Sequence, residues 1–352
     1  MRFTKKEYKK VNSKPYKSFI LGGDIGGTNS ALGVFGIKNS FPEILISFSY
    51  KSMELESLDA AINEVLDYCK KNYDIGIKKA CIGVAGVVSP DNNYAKITKL
   101  GWNLSSKEIH KKTGLSQIIF INDFEAAGYG INIIKKNQFV AIKKGSKISK
   151  SNKIVIGAGT GLGKSLLVFN ENKKFYEPVA SEAGHMDFPA QAEQELRIAA
   201  FIKKNKKIKQ NISYEHVLSG QGLRNLYLFF RKSNKFAPTK YTKEINKSNC
   251  SPELISRYRK LDKTCRAVFE AFRNNYAKFA RGMALDDLSF GGIYIGGGIA
   301  PKNRDIFDKK FVELFEQSHE RAYILKQIPI YLILDYDLGL LGAGFAGAKL
   351  LK

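Results

Sequence analysis

Apolar residues in the first hundred positions change their period twice, and each change marks an element. The stretches "FILGGD", "SALGVFGI" and "EILISFSY", from residue 19 onward, are rich in β-branched and aromatic residues and are broken by turn residues, which predicts three successive strands. In "ESLDAAINEVLDYCKKN" the period lengthens. Leu58, Ala61, Ile62, Val65 and Leu66 fall on one stripe, the spacing of an amphipathic helix. The strand "KACIGVAGVV", a turn at "SPDNN", a short helix near 105–113, the strand "QIIFIND" and a helix from Phe124 follow. The predicted order is three strands, helix, strand, helix, strand, helix.

Near residue 138 the pattern starts again. "FVAIKK", "KIVIGAGTG" and "SLLVFN" predict a second set of three strands. A helical half follows from about Ala190, including one long helix that opens at Ser251-Pro252-Glu253 and runs to about Leu288, with Ser as N-cap and Pro at the first helical position. The polar stretch "KSNKFAPTKYTKEINKSNC" before it predicts a surface loop. "GGIYIGGGIAP" and "IPIYLIL" supply later strands, and "LGLLGAGFAGAKLL" is a small-residue helix.

Composition narrows the class. A chain of 352 residues predicts two domains, and 44% hydrophobic with 26% charged residues is ordinary for a globular protein with a real core. No apolar run approaches the roughly 20 residues of a bilayer span, and the basic N-terminus lacks the apolar stretch of a secretory signal, so residues 1–17 read as a solvated tail. Cys69, Cys81, Cys250 and Cys265 are scattered, which indicates neither a zinc site nor a disulfide framework, and a cytoplasmic location is expected. The net charge of +24 raises the question of nucleic acid, yet 46 of the 57 basic residues are Lys, spread along the chain. Arg makes the bidentate contacts to phosphate and guanine, so the basicity reads as a diffuse surface without a specific nucleic-acid site.

Three glycine-rich readings imply different chemistries. "AGTGLGKS" at 158–165 has Ala where a P-loop needs its first Gly, and the strand-like "SLLVFN" follows where a P-loop opens a helix. "GAGFAG" at 342–347 has dinucleotide-binding spacing, but only five residues remain for a βαβ unit. "DIGGTN" and "GAGTGLG" fit better as two phosphate turns, each joining strands at the start of one half of the chain.

With "GGIYIGGGIAP" as a third glycine turn, this arrangement resembles the sugar kinases of the actin-like ATPase superfamily, in particular the bacterial-type glucokinases. The resemblance covers nearly the whole chain from about residue 18: "DIGGTN", "INDFEAAGYG", "GAGTGLG", "SEAGHMDF", "EHVLSGQGL", "GGIYIGGGIAP" and "GLLGAG" occur in that order. The related ROK family carries a Cys-rich zinc motif after the corresponding His. No Cys lies between His185 and Cys250, so the glucokinase branch fits better.

The resemblance implies an α/β protein with the two-domain actin-like (ribonuclease H-like) fold and an active-site cleft between the domains. Beyond the tail, a small domain would comprise residues 18–134 and 337–352, and a large one residues 135–336. It implies phosphorylation of glucose at the 6-hydroxyl by MgATP and a homodimer. Asp123 would be the base that accepts the hydroxyl proton, although Asn122-Asp123 also reads as an ordinary helix cap. Asn122, Asp123, Glu182, His185 and Glu215 would hold the sugar. Asp24 would hold Mg²⁺ through water, since a carboxylate beside phosphate needs a cation between them. Gly26, Gly27, Thr28 and Asn29 would turn donors toward the γ-phosphate, Gly159, Thr160 and Gly161 would meet the phosphates from the other domain, and Gly296, Gly297 and Gly298 would leave room for adenosine.

Two positions depart from the family pattern. Ala183 stands where Gly is frequent, and Lys99 in "ITKLGW" stands where a small polar residue such as Asn is expected. They leave open a kinase for mannose or an N-acetylated amino sugar. A sugar-sensing regulator without turnover is the rival from another class; about 18 residues precede the first strand, too few for a helix-turn-helix.

Overall fold

The computed structural model describes residues 3–146, 148–335 and 337–351. The chain divides into two units, one of residues 1–135, 167–180 and 336–352, the other of residues 136–166 and 181–335.

The first unit opens with strands β1 (Thr4–Glu7), β2 (Ser18–Ile25), β3 (Asn29–Lys38) and β4 (Phe41–Lys51), then helix α1 (Leu58–Tyr73) and β5 (Lys79–Val84). A small antiparallel sheet of β6 (Val87–Val88), β7 (Tyr94–Ile97) and β8 (Trp102–Ser105) leads to α2 (Ser106–Thr113), β9 (Gln117–Asn122) and α3 (Asp123–Gly130). The main sheet has the order β1-β4-β3-β2-β5-β9, antiparallel through the meander and parallel from β2 to β9. The period-3.6 stripe does form α1, with Ser57 accepting from the Ala60 amide at 3.2 Å, but Leu66 sits at the rim and Cys69 takes the buried position instead.

Residues 1–17 were expected to be a solvated tail. Instead β1 pairs with the outer edge of β4, and Phe3 packs on Phe48, Tyr50 and Tyr68. All four β1 side chains are exposed, so the side-chain reading was sound as far as it went. What it could not show is that the long β4 offers free backbone groups that a passing segment can pair.

The second unit contains β10 (Phe139–Lys143), β11 (Lys153–Ala158), the start of β12 (Leu162–Asn170) and the end of β13 (Phe175–Ser181). Helices α4 (Glu193–Lys206), α5 (Gly220–Lys232), α6 (Lys240–Lys247), α7 (Pro252–Arg257) and α8 (Lys263–Asp287) follow, then β14 (Gly292–Gly296), α9 (Lys309–Glu316), α10 (Ala322–Gln327) and β15 (Ile330–Ile333). The sheet order is β10-β15-β14-β11-β12-β13. Read from β13 to β15, it repeats the order β4-β3-β2-β5-β9 of the first sheet. The repeat therefore begins at β11; β10 is an extra edge strand antiparallel to β15, and β13, absent from the expected elements, completes the meander.

Two helical expectations also change. The long helix from Pro252 breaks after Arg257, and α8 restarts where the Asp262 carboxylate accepts from the Cys265 amide at 3.0 Å. The supposed loop before it contains α6, capped by Thr239 and anchored by buried Thr242 and Ile245. A single buried Ile in a Lys-rich stretch is too weak a period to read.

The chain ends in α11 (Leu338–Leu350), which returns to the first unit. Its glycines are packing residues: a β-carbon at Gly342 would run into the Ala126 carbonyl of α3, and one at Gly347 would lie 2.8 Å from Ile20. Among the described residues no helix is long and apolar enough to cross a membrane.

Candidate active site

In the first unit, β2, β5 and β9 end level: Ile25 pairs with Val84, and Val84 with Asn122. The turn after β2 and the Asn122-Asp123 pair after β9 therefore leave the sheet at one edge, about 10 Å apart at two strand spacings. Loops at the C-terminal ends of parallel strands are where open α/β sheets collect ligand-binding groups.

The turn joining β2 to β3 is braced from outside. The Gly26 amide donates to the Asn29 carbonyl at 3.1 Å, the Ser52 amide donates to the Thr28 carbonyl at 3.1 Å, and the Ser52 hydroxyl donates to the Gly26 carbonyl at 2.6 Å. Buried Ser52 also shares a 2.8 Å hydrogen bond with Ser30. Thr28 and Asn29 remain exposed at the tip.

Asp24, at the end of β2, is half-buried, and among the described residues no hydrogen-bond donor reaches its carboxylate. Burial, with a smaller contribution from the charge of Asp337, pushes its pKa up to about 6. Asp337 is itself held by the Tyr8 hydroxyl at 2.5 Å and the Lys6 ammonium at 3.0 Å. A carboxylate without a donor or a cationic partner suits a hard cation. Among the described residues no cluster of three or more His, Cys, Asp or Glu forms a protein-only cage, so a cation here would take its remaining ligands from water or phosphate.

After β9 the structure shows the helix cap directly. Asn122 Oδ1 accepts from the Phe124 amide at 2.9 Å and the Glu125 amide at 3.4 Å, while Glu125 accepts from the Asn122 amide at 3.4 Å, a capping box. Asp123 Oδ1 accepts from Phe124 at 3.0 Å. The cap holds the Asn122 carbonyl and so fixes where Asp123 and the Asn122 amide group stand.

The second unit repeats the construction. β11 and β14 are parallel, with Gly157 level with Gly296, so their turns emerge side by side. The Gly159 amide donates to the Gly161 carbonyl at 2.8 Å, and the Gly220 amide, at the start of α5, donates to the Gly159 carbonyl at 2.8 Å. Thr160 is exposed at this tip. Gly297 has φ of +80°, and a β-carbon there would lie 2.5 Å from the Ala158 carbonyl, so glycine is required. Gly298 and Gly296 are not constrained in this way: the first faces open space, and the second has its nearest neighbour, Ile333, at 3.8 Å.

Glu215 Oε2 accepts from the Leu162 amide at 2.9 Å, and a β-carbon at Gly161 would lie 2.6 Å from the same oxygen. At Gly184 a β-carbon would collide with the Leu162 carbonyl. The first residue of β12 thus gathers Glu215, the Ala183–His185 turn and the Gly159–Gly161 turn. Glu182 and His185 are exposed, with their side chains 3.7 Å apart, and Ala183 is buried beneath them. Lys164 is no P-loop lysine: it is buried in β12 and paired with Asp287 at 2.7 Å.

The sequence did not place Ser52, Asp337 or the lysines Lys51 and Lys99, which hydrogen-bond Asn29 and Thr28 at 2.9 Å each, beside Asp24 and its turn. Only Lys99 left a signal, as a departure from an expected pattern.

The glucokinase family model matches residues 21–350. The chain belongs to the glucokinase family. It is 32% identical over 348 residues to the glucokinase of Nostoc sp., a match that covers 95% of this chain and all of that protein. Among solved structures it resembles a glucokinase from an Antarctic psychrotroph, with TM-score 0.75, 27% identity, and 94% and 99% of the two chains covered. The glucokinase of Balamuthia mandrillaris, solved in complex with glucose, shares the fold at TM-score 0.77 and 21% identity, with 94% and 93% covered. The chain accordingly carries the α/β actin-like fold, and its activity is ATP-dependent phosphorylation of glucose.

Proposed function

We propose that the 6-hydroxyl of glucose is the acceptor, that ATP enters as its magnesium complex, and that Asp123 is the base. The observation that carries this reading is the Asp24 carboxylate, which no donor reaches among the described residues, set directly before the braced Gly26–Asn29 turn. When bound, Mg²⁺ supplies charge neutralisation between the carboxylate and the phosphates. Asp24 would hold that ion through water. Gly26, Gly27, Thr28 and Asn29 present backbone and side-chain donors to the γ-phosphate, and Gly159, Thr160 and Gly161 to the neighbouring phosphates. Gly296, Gly297 and Gly298 keep the backbone low against adenosine. Asn122, Glu182, His185 and Glu215 grip the sugar hydroxyls; Glu215, with Oε2 engaged by Leu162, offers Oε1. Asp123 takes the proton of the 6-hydroxyl as the oxygen attacks phosphorus.

The family resemblance supports a homodimer, which light scattering at micromolar protein checks, and the free thiols of all four cysteines suit a cytoplasmic setting. The central test is ADP release with MgATP across a panel of glucose, mannose and N-acetylglucosamine, beside Asp123→Ala. Turnover on glucose, with the variant slowed by about three orders of magnitude yet still binding the sugar, supports the reading. Preference for another hexose, or full activity of Asp123→Ala, removes it.

A further inference from the structure

The Gly26–Asn29 turn carries two lysines that reach it from separate elements. Lys99, just past β7, donates to Thr28 Oγ1 at 2.9 Å, and Lys51, the last residue of β4, donates to Asn29 Oδ1 at 2.9 Å. The stem of Lys99 lies across Gly27, where a β-carbon would collide with its Cδ. Among the described residues neither ammonium has a carboxylate within 4.0 Å, whereas Lys6, Lys112 and Lys164 all find one. A hydroxyl and an amide oxygen fix position but do not neutralise charge.

Two cations without a carboxylate partner, both anchored on this turn, make it anion-seeking. Simple repulsion should drive flexible lysines apart on so basic a surface. These are held in place by side chains of the turn itself, Thr28 and Asn29. The geometry is that of a preset charge clamp.

We propose that Lys99 is a catalytic residue: its ammonium contacts the terminal phosphate of the nucleotide and stabilises the phosphoryl group in transit, with Lys51 strengthening the attraction. The inference rests on assigning the Gly26–Asn29 turn to phosphate. In the step, the bond from the sugar oxygen to the γ-phosphorus forms, the bond to the β–γ bridging oxygen breaks, and the hydroxyl proton passes to Asp123. Charge shifts toward the leaving diphosphate, and Lys99 offsets what remains on the transferred group.

Lys99→Met tests this, because Met keeps an unbranched stem across Gly27 and removes only the ammonium. Lys99→Arg keeps the charge, and Lys107→Met, an exposed lysine of α2, controls for the loss of one positive charge. In Lys99→Met we expect kcat/KM for MgATP to fall about 10- to 100-fold, the KM for glucose to stay within twofold, and Lys99→Arg to recover most of the loss. By calorimetry the Met variant should bind the non-hydrolysable analogue AMPPNP about tenfold more weakly or worse, and adenosine unchanged.

Wild-type values in Lys99→Met for both turnover and AMPPNP overturn the proposal. So does an equal loss of adenosine and AMPPNP, which marks a brace for the turn and not a phosphate contact. If the wild type phosphorylates no sugar, the proposed reaction fails on its own account, and the AMPPNP and adenosine comparison still judges Lys99. A wild type that binds neither nucleotide sinks both.

Discussion

Gly339 leaves the space that the Asp24 carboxylate fills: a β-carbon at position 339 would lie 2.6 Å from Asp24 Oδ2. The glycine of the terminal "GLLGAG" segment thus shapes the space of a carboxylate more than three hundred positions away in sequence, the one proposed to hold Mg²⁺. In Gly339→Ala the carboxylate must rotate, since the crowded atom is the end of a side chain. Stability should change by less than about 1 kcal/mol while kcat falls tenfold or more and the Mg²⁺ requirement rises. Urea unfolding beside a Mg²⁺ titration of activity separates the two effects, and unchanged kinetics would show that Asp24 has room to spare.

The same carboxylate sets a pH dependence. Its pKa rises from 3.8 to about 6 on folding, so between those values the folded chain binds more protons than the unfolded one. The stability this confers is fully present below about 3.8 and is lost as pH climbs through about 6. Ligand-free protein should lose up to about 3 kcal/mol from this group between pH 4 and pH 7, and Asp24→Asn should flatten that slope while abolishing activity. Unfolding free energies of both proteins at several pH values decide it.

Ser52 braces the glycine turn with its amide and its hydroxyl. Ser52→Ala leaves the Gly26 carbonyl and Ser30 without their partner and should cost about 1–2 kcal/mol. The looser turn should raise the KM for ATP several-fold and spare the KM for glucose; a change confined to stability would confine Ser52 to the fold.

Glu215, proposed to hold the sugar, accepts from the Leu162 amide next to the second glycine turn. Glu215→Gln keeps an oxygen for the Leu162 amide but loses the charge, so the KM for glucose should rise about tenfold with the KM for ATP little changed. Glu215→Ala removes both and should raise both constants. Identical kinetics in the two variants would break the proposed link.

Phe3→Ala should cost roughly 2 kcal/mol, less than a fully buried Phe, because the ring is only partly covered by Phe48, Tyr50 and Tyr68. Thermal melts of the variant beside the wild type measure whether β1 is a working part of the sheet.

Much of this molecule was legible in the sequence because its signals are local. The apolar runs of β2, β5, β9, β11 and β14, the stripe of α1 and the small-residue repeat of α11 each depend on neighbours within one element. The glycine turns could be found for the same reason, since a turn declares its backbone needs in four to six letters. Family resemblance added the order of the motifs and so the reaction.

What only the tertiary structure decided is which distant groups arrive at those turns. That Ile25, Val84 and Asn122 end level is a matter of strand register. That β10 lies beyond β15 while β13 completes the meander is a matter of sheet order, which alternation does not encode. Ser52, Asp337 and Lys99 carry no motif of their own, and the motif that holds Gly339 does not announce its neighbour; they matter because folding closes loops of tens to hundreds of residues and sets each against Asp24 or the turn that follows it. The sequence by itself determined most of the core elements, the glycine turns and the family; long-range packing alone determined the charges and contacts at the first glycine turn, because no local pattern records what lies on the far side of a closed loop.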